Sequence, residues 1–351
     1  MTAIPIDPSG LTPQWLGRIL DAPVSSVEVL DHASATNQRA RIRLAYETPG
    51  VGPDSLFVKL APLDEGHRQM IGAIGMGVRE VQFYSDVSGT LDLLVPRCAH
   101  ADAEGDLFVL LLEDLSSRGC RFSQGDWGIG ADAAAGALQE LARFHARFES
   151  ASERDKVAPW LRDPERGPGS EATAALMRMV IDQSGDSFPP EYREICELYV
   201  LHHAWFHEIW HAGPPTFVHG DLHIGNVFLD GHRVGFIDWG LSRTSTHLHD
   251  VSYFLVMSVD IEARRANESE LLRTYTGALE RAGGVAIDPD EAWQRYRLQA
   301  SYTVIATFLT YMPTYAAGDG VALGDALVER CHAALADLDV VQAIRAALAE
   351  S

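Results

Sequence analysis

The sequence predicts an α+β protein in two parts, an antiparallel sheet with one helix followed by a larger, mainly helical region. Three observations predict this class. Strand-like runs dominate from about residue 25 to 112, either alternating or continuously apolar. Helical periodicity takes over from Asp132. The length of 351 residues suits two lobes, or one domain with a large insertion.

In the first part, a short helix is expected to begin at Pro13, because a capping Thr12 precedes this proline. Residues 39–44 alternate arginine with apolar side chains, which is typical of a half-buried strand. "SLFVKLAP" predicts a further strand with Lys59 near its centre. A helix is expected over residues 77–87, and two strands then flank a Gly/Asp turn.

The second part should contain few strands. A helix is expected from Asp132, a loop over residues 150–171 and a short strand pair in "HRVGFIDWG". The remaining helices are expected at residues 171–184, 190–211, 265–283, 290–312 and 320–348.

Composition and charge exclude several classes of function. The net charge of −21 disfavours binding to nucleic acid or to anionic membrane surfaces. Four widely spaced cysteines give no zinc spacing and suggest reduced thiols. The N-terminus does not resemble a signal peptide, and no apolar run is long enough to span a bilayer. A cytoplasmic protein is expected, and its oligomeric state stays open.

The segments "FVHGDLHIGN" and "GFIDWG" concentrate oxygen-bearing side chains. Asp221 and Asn226 lie five residues apart, a spacing that suits a loop, and Asp238 ends an apolar strand. Carboxylate and amide oxygens without thiolates favour a hard cation such as Mg²⁺. Protein kinases use this order and spacing for a catalytic aspartate and two metal ligands.

These motifs resemble those of the aminoglycoside phosphotransferase and choline-kinase-like family, over about residues 12 to 312. The resemblance implies a two-lobe protein-kinase-like fold, with an N-lobe over residues 1–112. Residues 113–351 would form the C-lobe, with the hinge, catalytic loop, metal site and a helical subdomain for the acceptor. The implied activity is Mg²⁺-dependent transfer of the γ-phosphoryl group of ATP or GTP to a hydroxyl of a small molecule.

The resemblance also assigns roles to individual residues. It implies that Asp221 is the catalytic base and that Asn226 and Asp238 hold the metal. Lys59, one of only two lysines in the chain, would pair with Glu80 and orient the nucleotide phosphates.

Other residues would contact the nucleotide or support the site. In "LLLEDL", Glu113 and Leu115 would contact the base. The loop "HASATNQRA" lacks the glycines with which kinases usually cover the phosphates, so the expected phosphate contacts are its small polar residues, Ser34, Thr36 and Asn37.

Three further residues are expected to support the catalytic loop. Asp250 in "HDVSYFL" would brace it. His219 could act as a general base, but a structural role is favoured for it and for His223.

The acceptor is not fixed by the sequence. An antibiotic is favoured, because the Lys-poor, Ala/Arg-rich composition suggests a high-GC bacterium and the acidic charge suits a cationic drug. Kinases of choline, sugars or steroids, and a regulatory pseudokinase, stay open as alternatives. A protein Ser/Thr kinase is disfavoured because H-R-D and A-P-E segments are absent.

Overall fold

The structure is a computed structural model, and it describes residues 3–34, 36–163, 168–184, 188–310 and 322–351. The chain divides into two compact units. The first unit consists of Met1–Arg121, Asp155–Trp160 and Phe236–Ser242, and the second of Phe122–Arg154, Leu161–Gly235 and Arg243–Ser351.

The first unit is built on a five-stranded antiparallel sheet with the strand order β1-β2-β3-β5-β4. The strands are β1 (Val24–Ser34), β2 (Gln38–Tyr46), β3 (Ser55–Leu60), β4 (Cys98–Glu104) and β5 (Leu107–Glu113). The predicted strands are thus present, and the predicted α+β class is confirmed.

The alternating pattern of β2 explains how the sheet packs. Its apolar residues, including Ile42, are buried in a core with Trp15 and Leu16 of helix α1 (Pro13–Ile19). Helix α1 begins as predicted, because the Thr12 side chain accepts a hydrogen bond from the backbone N–H of Trp15. The arginines of β2 therefore lie on the opposite face of the sheet.

Two helices lie between β3 and β4: α2 (Glu65–Ala73) and α3 (Met76–Gln82), which continues as a π-helical turn over Phe83–Val87. The predicted helix over residues 77–87 corresponds to α3 and this turn, whereas α2 was not expected. Gly77 allows α3 to lie close to β5, because a Cβ atom there would come within 2.3 Å of the Phe108 ring.

The second unit is mainly helical, as predicted. Its described helices, with α5 running into the first unit, are α4 (Ala131–Phe148), α5 (Ala151–Val157), α6 (Pro168–Ser184), α7 (Pro190–Trp210), α8 (His247–Met257), α9 (Ile261–Arg281), α10 (Pro289–Ala300), α11 (Tyr302–Thr310), α12 (Ala322–Asp337) and α13 (Val340–Glu350).

Several predicted boundaries in the second unit are wrong. Helix α5 lies inside the expected loop, and α8 was not expected as a helix. The helix expected over 290–312 breaks between Ala300 and Tyr302, and the one over 320–348 breaks at Asp339, whose φ is +47°. Residues 164–167 of the expected loop and residues 311–321 lie outside the described residues.

Two small sheets position the polar segments. Strand β6 (Pro215–Val218) pairs with β9 (Arg243–Thr246), and β7 (Val227–Asp230) pairs with β8 (Arg233–Phe236). The loop that contains Asp221 therefore connects two short strands. The predicted strand pair within "HRVGFIDWG" is wrong in detail, because β8 pairs with the preceding β7.

All four cysteines lie within the described residues and are free thiols. None of the described helices combines the length and apolar character that crossing a bilayer requires.

Candidate active site

The centre of the first unit holds a buried ion pair. Lys59 of β3 donates from Nζ to Oε2 of Glu80 in α3 at 2.5 Å. Both side chains are almost completely buried. A buried lysine or glutamate is costly unless it is paired, so this contact holds α3 in register against the sheet.

Asp238 joins this pair within the same unit. Its Oδ1 lies 3.2 Å from Lys59 Nζ, and its Oδ2 lies 3.5 Å from a guanidinium nitrogen of Arg39. Asp238 has a φ of +65°, a left-handed conformation that costs energy for a non-glycine residue. The positioned carboxylate therefore faces one cation at each oxygen.

The charges of this cluster are coupled. Burial opposes protonated Lys59, but the carboxylates of Asp238 and Glu80 more than offset it, so the pKa of Lys59 is raised. Burial raises the pKa of Glu80 to about 7 despite the lysine, and the negative charge of Asp238 contributes to the rise. The Lys59 ammonium group is shared by the carboxylates of Glu80 and Asp238, and it compensates the buried charge of Glu80 only partly.

The loop expected to cover phosphates is the connection between β1 and β2. Ser34 is exposed at the end of β1, and Thr36 is exposed in the turn. Asn37 is buried, and its Oδ1 has no hydrogen-bond partner among the described residues. A buried amide oxygen without a partner is unusual, and a ligand or water could satisfy it.

The two residues expected to contact the base lie at the end of β5. Glu113 receives hydrogen bonds on its carboxylate from Arg97 and Arg118, and its backbone N–H donates to the Arg97 carbonyl. Leu115 is buried, and its carbonyl accepts from the backbone N–H of Arg118 and of Cys120. This hydrogen bonding orders the segment that follows the sheet.

In the second unit, the loop between β6 and β7 presents Asp221. The Asn226 side chain donates from Nδ2 to the backbone carbonyl and to Oδ2 of Asp221, both at 2.9 Å. The Asp221 side chain is 25% exposed. The asparagine thus fixes the rotamer of a carboxylate that solvent or a substrate can still reach.

The two histidines of the loop bond mainly to its backbone. Nδ1 of buried His219 accepts from the backbone N–H of Asp221 at 3.3 Å. Nδ1 of His223 accepts from Gly225 N–H at 3.0 Å, and its Nε2 lies 3.6 Å from Asp221 Oδ2. Both rings therefore shape the loop.

Asp250, at the start of α8, lies beneath this loop and is fully buried. Its Oδ2 accepts from the backbone N–H of His219 at 2.7 Å, and its Oδ1 accepts from Gly220 N–H at 2.8 Å. Gly220 has a φ of +85°, which favours glycine at this sharp turn. One carboxylate thus fixes the two peptide groups that precede Asp221.

A histidine of α4 completes this support; the segment that contains it, "LARFHA", resembles the family helix that packs beneath the catalytic loop, but the histidine itself was not singled out from the sequence. His145 of α4 is fully buried, with Nε2 at 3.3 Å from Asp250 Oδ2 and Nδ1 at 2.8 Å from the Tyr275 hydroxyl. Burial acts to raise the pKa of Asp250, but the hydrogen bond and charge interaction with His145, together with His219 and the Gly220 N–H, lower this pKa to about 2. The sequence does contain one signal of this role, because His145 lies on the apolar face of the predicted helix.

His249, next to Asp250, should make the protein sensitive to acid. Burial and the nearby charge of Arg243 lower the pKa of His249 to about 3. Arg243 donates to His249 Nε2 at 2.5 Å, which requires a neutral ring. The unfolded state takes up a proton at about pH 6.5 and the folded state does not. Stability is therefore fully present above pH 6.5 and is lost as pH falls towards 3.

We expect each pH unit below about 6.5 to cost about 1.4 kcal/mol through His249. Urea unfolding of the wild type and of His249→Gln between pH 7.5 and 5 measures this slope. The variant should lose less stability than the wild type over this range, whereas His232→Gln, at an exposed turn position, should behave like the wild type. Equal slopes for the wild type and His249→Gln would contradict the prediction.

Protein-kinase-like phosphotransferases orient the nucleotide with a strand lysine that is paired to a helix glutamate, as in the first unit. The predicted class, a small-molecule kinase of the protein-kinase-like fold, is confirmed by comparison with known proteins. The chain belongs to the ecdysteroid kinase-like family, whose model matches residues 34–283. No curated protein matches the chain significantly.

Solved structures share the fold at low sequence identity. A choline/ethanolamine kinase family protein from Mesorhizobium loti matches with a TM-score of 0.51 and 18% identity, covering 95% of this chain and 96% of that chain. The GDP complex of aminoglycoside 2′-phosphotransferase-IIIa gives a TM-score of 0.53 and 15% identity, with coverages of 92% and 96%. A GDP and kanamycin complex of an APH(2″) enzyme gives 0.52 and 16%, with coverages of 90% and 94%.

Proposed function

We propose that the protein is a Mg²⁺-dependent O-phosphotransferase that moves the γ-phosphoryl group of ATP or GTP to a hydroxyl of a small molecule. The observation that carries this proposal is the buried Lys59–Glu80 pair, whose lysine also contacts the partly exposed carboxylate of Asp238. In kinases this pair and an aspartate ahead of an aromatic residue and glycine must all be in place for phosphoryl transfer.

Each remaining residue has a defined part in the proposal. Asp221 accepts the proton of the acceptor hydroxyl, and Asn226 holds the Asp221 side chain in the required rotamer. The backbone at Glu113 and Leu115 contacts the nucleotide base. The phosphates contact Lys59 and the polar residues of the first loop, Ser34, Thr36 and Asn37.

The residues present fit a magnesium ion. Mg²⁺ usually binds through one or two carboxylates together with substrate phosphates and water, without a cage made only of protein ligands. Asp238 supplies a fixed carboxylate and Asn226 an amide oxygen. The bound ion would neutralise charge on the transferred phosphoryl group.

The first candidate acceptor is an antibiotic with a free hydroxyl. The net charge of −21 is compatible with a cationic drug, although an acidic surface also serves solubility. An APH(2″) enzyme of the same fold binds kanamycin together with GDP. This candidate fits a location in the cytoplasm, a compartment in which the free thiols of the chain would stay reduced.

The second candidate is a hydroxylated metabolite of the steroid type. The specific observation in its favour is the match to the ecdysteroid kinase-like family over residues 34–283. A choline or sugar acceptor is a further possibility of the same class, supported by the shared fold of a choline/ethanolamine kinase family protein.

A transfer assay tests the proposed function. Purified protein is incubated with Mg²⁺ and either ATP or GTP over a panel of aminoglycosides, macrolides, ecdysteroids, choline and sugars, and release of ADP or GDP is followed. Mass spectrometry then detects a phosphorylated acceptor. We expect release that depends on one acceptor class, and Lys59→Met, which removes the charge but keeps an unbranched side chain, should abolish it.

Two outcomes separate the proposal from its alternatives. Nucleotide binding in a thermal-shift assay without turnover on any acceptor would favour a regulatory pseudokinase. Turnover that persists in Lys59→Met at the wild-type rate would show that this lysine does not orient the phosphates.

A further inference from the structure

Arg39 lies beside the proposed nucleotide site and has no part in the function proposed above. In the pairing of β2 with β3, its Cα lies directly opposite that of Lys59. Directly opposed residues of antiparallel strands project to the same face of a sheet, with Cβ atoms about 4.5–5.5 Å apart. The strand register thus brings a second positive charge to the face on which Lys59 meets Asp238.

The contacts of the two cations differ. Lys59 is buried and is held by Glu80 as well as by Asp238. Arg39 contacts Asp238 Oδ2 at 3.5 Å, a distance typical of a loose ion pair, and its side chain is 44% exposed. Lys59 is therefore fixed, whereas Arg39 can exchange Asp238 for another anion at small cost.

The other two arginines on this face of β2 are committed elsewhere. Arg41 pairs with Asp31 and with buried Asp114, and Arg43 pairs with Glu28 at 2.6 Å. Arg39 is the arginine of this row whose partner is the carboxylate assigned to the metal.

The composition of the adjoining loop supplies a reason for this charge. Residues 32–40 contain no glycine, so the backbone cannot approach a phosphate as closely as a glycine-rich loop does. A guanidinium group offers several N–H donors in a planar fork that fits phosphate oxygens. An arginine in the first, turn-proximal positions of β2, directly after the β1–β2 turn, can replace the contacts that glycine would have allowed.

We propose that Arg39 is a second phosphate-binding cation, which contacts the terminal phosphates of the nucleotide and rests on Asp238 when no nucleotide is bound. This inference rests on the proposed function, since it assumes a nucleoside triphosphate beside Lys59. It adds a second nucleotide-binding side chain to the same site.

The test compares Arg39→Gln with the matched control Arg43→Gln, which removes an arginine from the same strand face. Isothermal titration calorimetry with Mg²⁺ measures the Kd of a non-hydrolysable triphosphate, the diphosphate and the nucleoside, for both adenine and guanine. We expect Arg39→Gln to weaken triphosphate binding roughly tenfold, diphosphate binding less, and nucleoside binding not at all. Arg39→Lys should give an intermediate loss, and Arg43→Gln should match the wild type.

The outcomes distinguish this inference from the proposed function. Wild-type affinity of Arg39→Gln for the triphosphate would overturn the role of Arg39 alone. Equal losses for triphosphate and nucleoside would also overturn it, because a structural defect does not depend on the number of phosphates. Absence of nucleotide binding by a folded wild-type protein would overturn both the proposed function and this inference.

Discussion

Asp221→Asn is expected to lower kcat by roughly 10²–10⁴-fold while folding and nucleotide binding persist. Asparagine keeps the size of the side chain and one oxygen that can accept the hydrogen bond from Asn226. It cannot accept a proton or carry the charge that orients the acceptor hydroxyl. The loss should therefore fall on kcat, with little change in KM for the nucleotide.

Steady-state kinetics with the acceptor found in the panel would measure this effect, and thermal unfolding would verify the fold. Asp290→Asn is a suitable control, because Asp290 is an exposed aspartate in the first turn of α10. A variant at Asp221 that retained more than a tenth of the wild-type kcat would exclude this residue as the base.

The strands of the first unit could be predicted from the sequence because strong local signals mark them, and its ion pair could be predicted from the family resemblance. Alternation in β2 identifies the buried face. A lysine within the apolar strand β3 requires a partner, and the family resemblance points to Glu80 in the helix predicted over residues 77–87. In such cases, local pattern and tertiary contact agree.

The missed helix α8 shows where periodicity fails. All eleven of its residues are buried, including His249 and Asp250. A helix that is buried on every side has no amphipathic stripe, so its sequence shows no 3.6-residue period. The break at Asp339 was missed because no local signal marks it. This residue adopts a positive φ, and no glycine or proline indicates the turn.

The parts of the candidate site that could not be predicted from the sequence are long-range contacts. The role of Arg39 depends on its pairing with Asp238, 199 positions along the chain, and that of His145 depends on Asp250. Each residue has an ordinary local context, an arginine in an alternating strand and a histidine on an apolar helix face. Only the tertiary structure shows that each one faces a carboxylate of the site.

Asp250→Asn is expected to destabilise the protein by about 3 kcal/mol and to reduce turnover. Two oxygens of Asp250 accept hydrogen bonds from the peptides of His219 and Gly220, and asparagine has one acceptor oxygen. Its NH₂ group would face a backbone N–H, so a buried donor would lose its partner. Urea unfolding at pH 7 measures the loss.

The matched control is Asp260→Asn. Asp260 caps α9, and its Oδ1 alone accepts from both Glu262 N–H and Ala263 N–H. Asparagine can reproduce that arrangement, and Asn and Asp are nearly equivalent caps, so this variant should change stability by less than about 1 kcal/mol. A similar loss of unfolding free energy in both variants would show that the use of both carboxylate oxygens of Asp250 does not contribute to stability.

Acidification provides an independent measure of the charge on Asp250. The pKa of this carboxyl is lowered from 3.8 to about 2 in the folded protein, so its contribution of about 2 kcal/mol is present above pH 4. It is lost as pH falls through about 2. The stability gap between the wild type and Asp250→Asn should therefore narrow between pH 5 and pH 2. The negative charge of Asp250 is stabilised by His145 and two peptide N–H groups, and this stabilisation is lost when the carboxylate is protonated. A stability difference that stays constant with pH would therefore mean that the cost of the substitution comes from hydrogen-bond geometry alone.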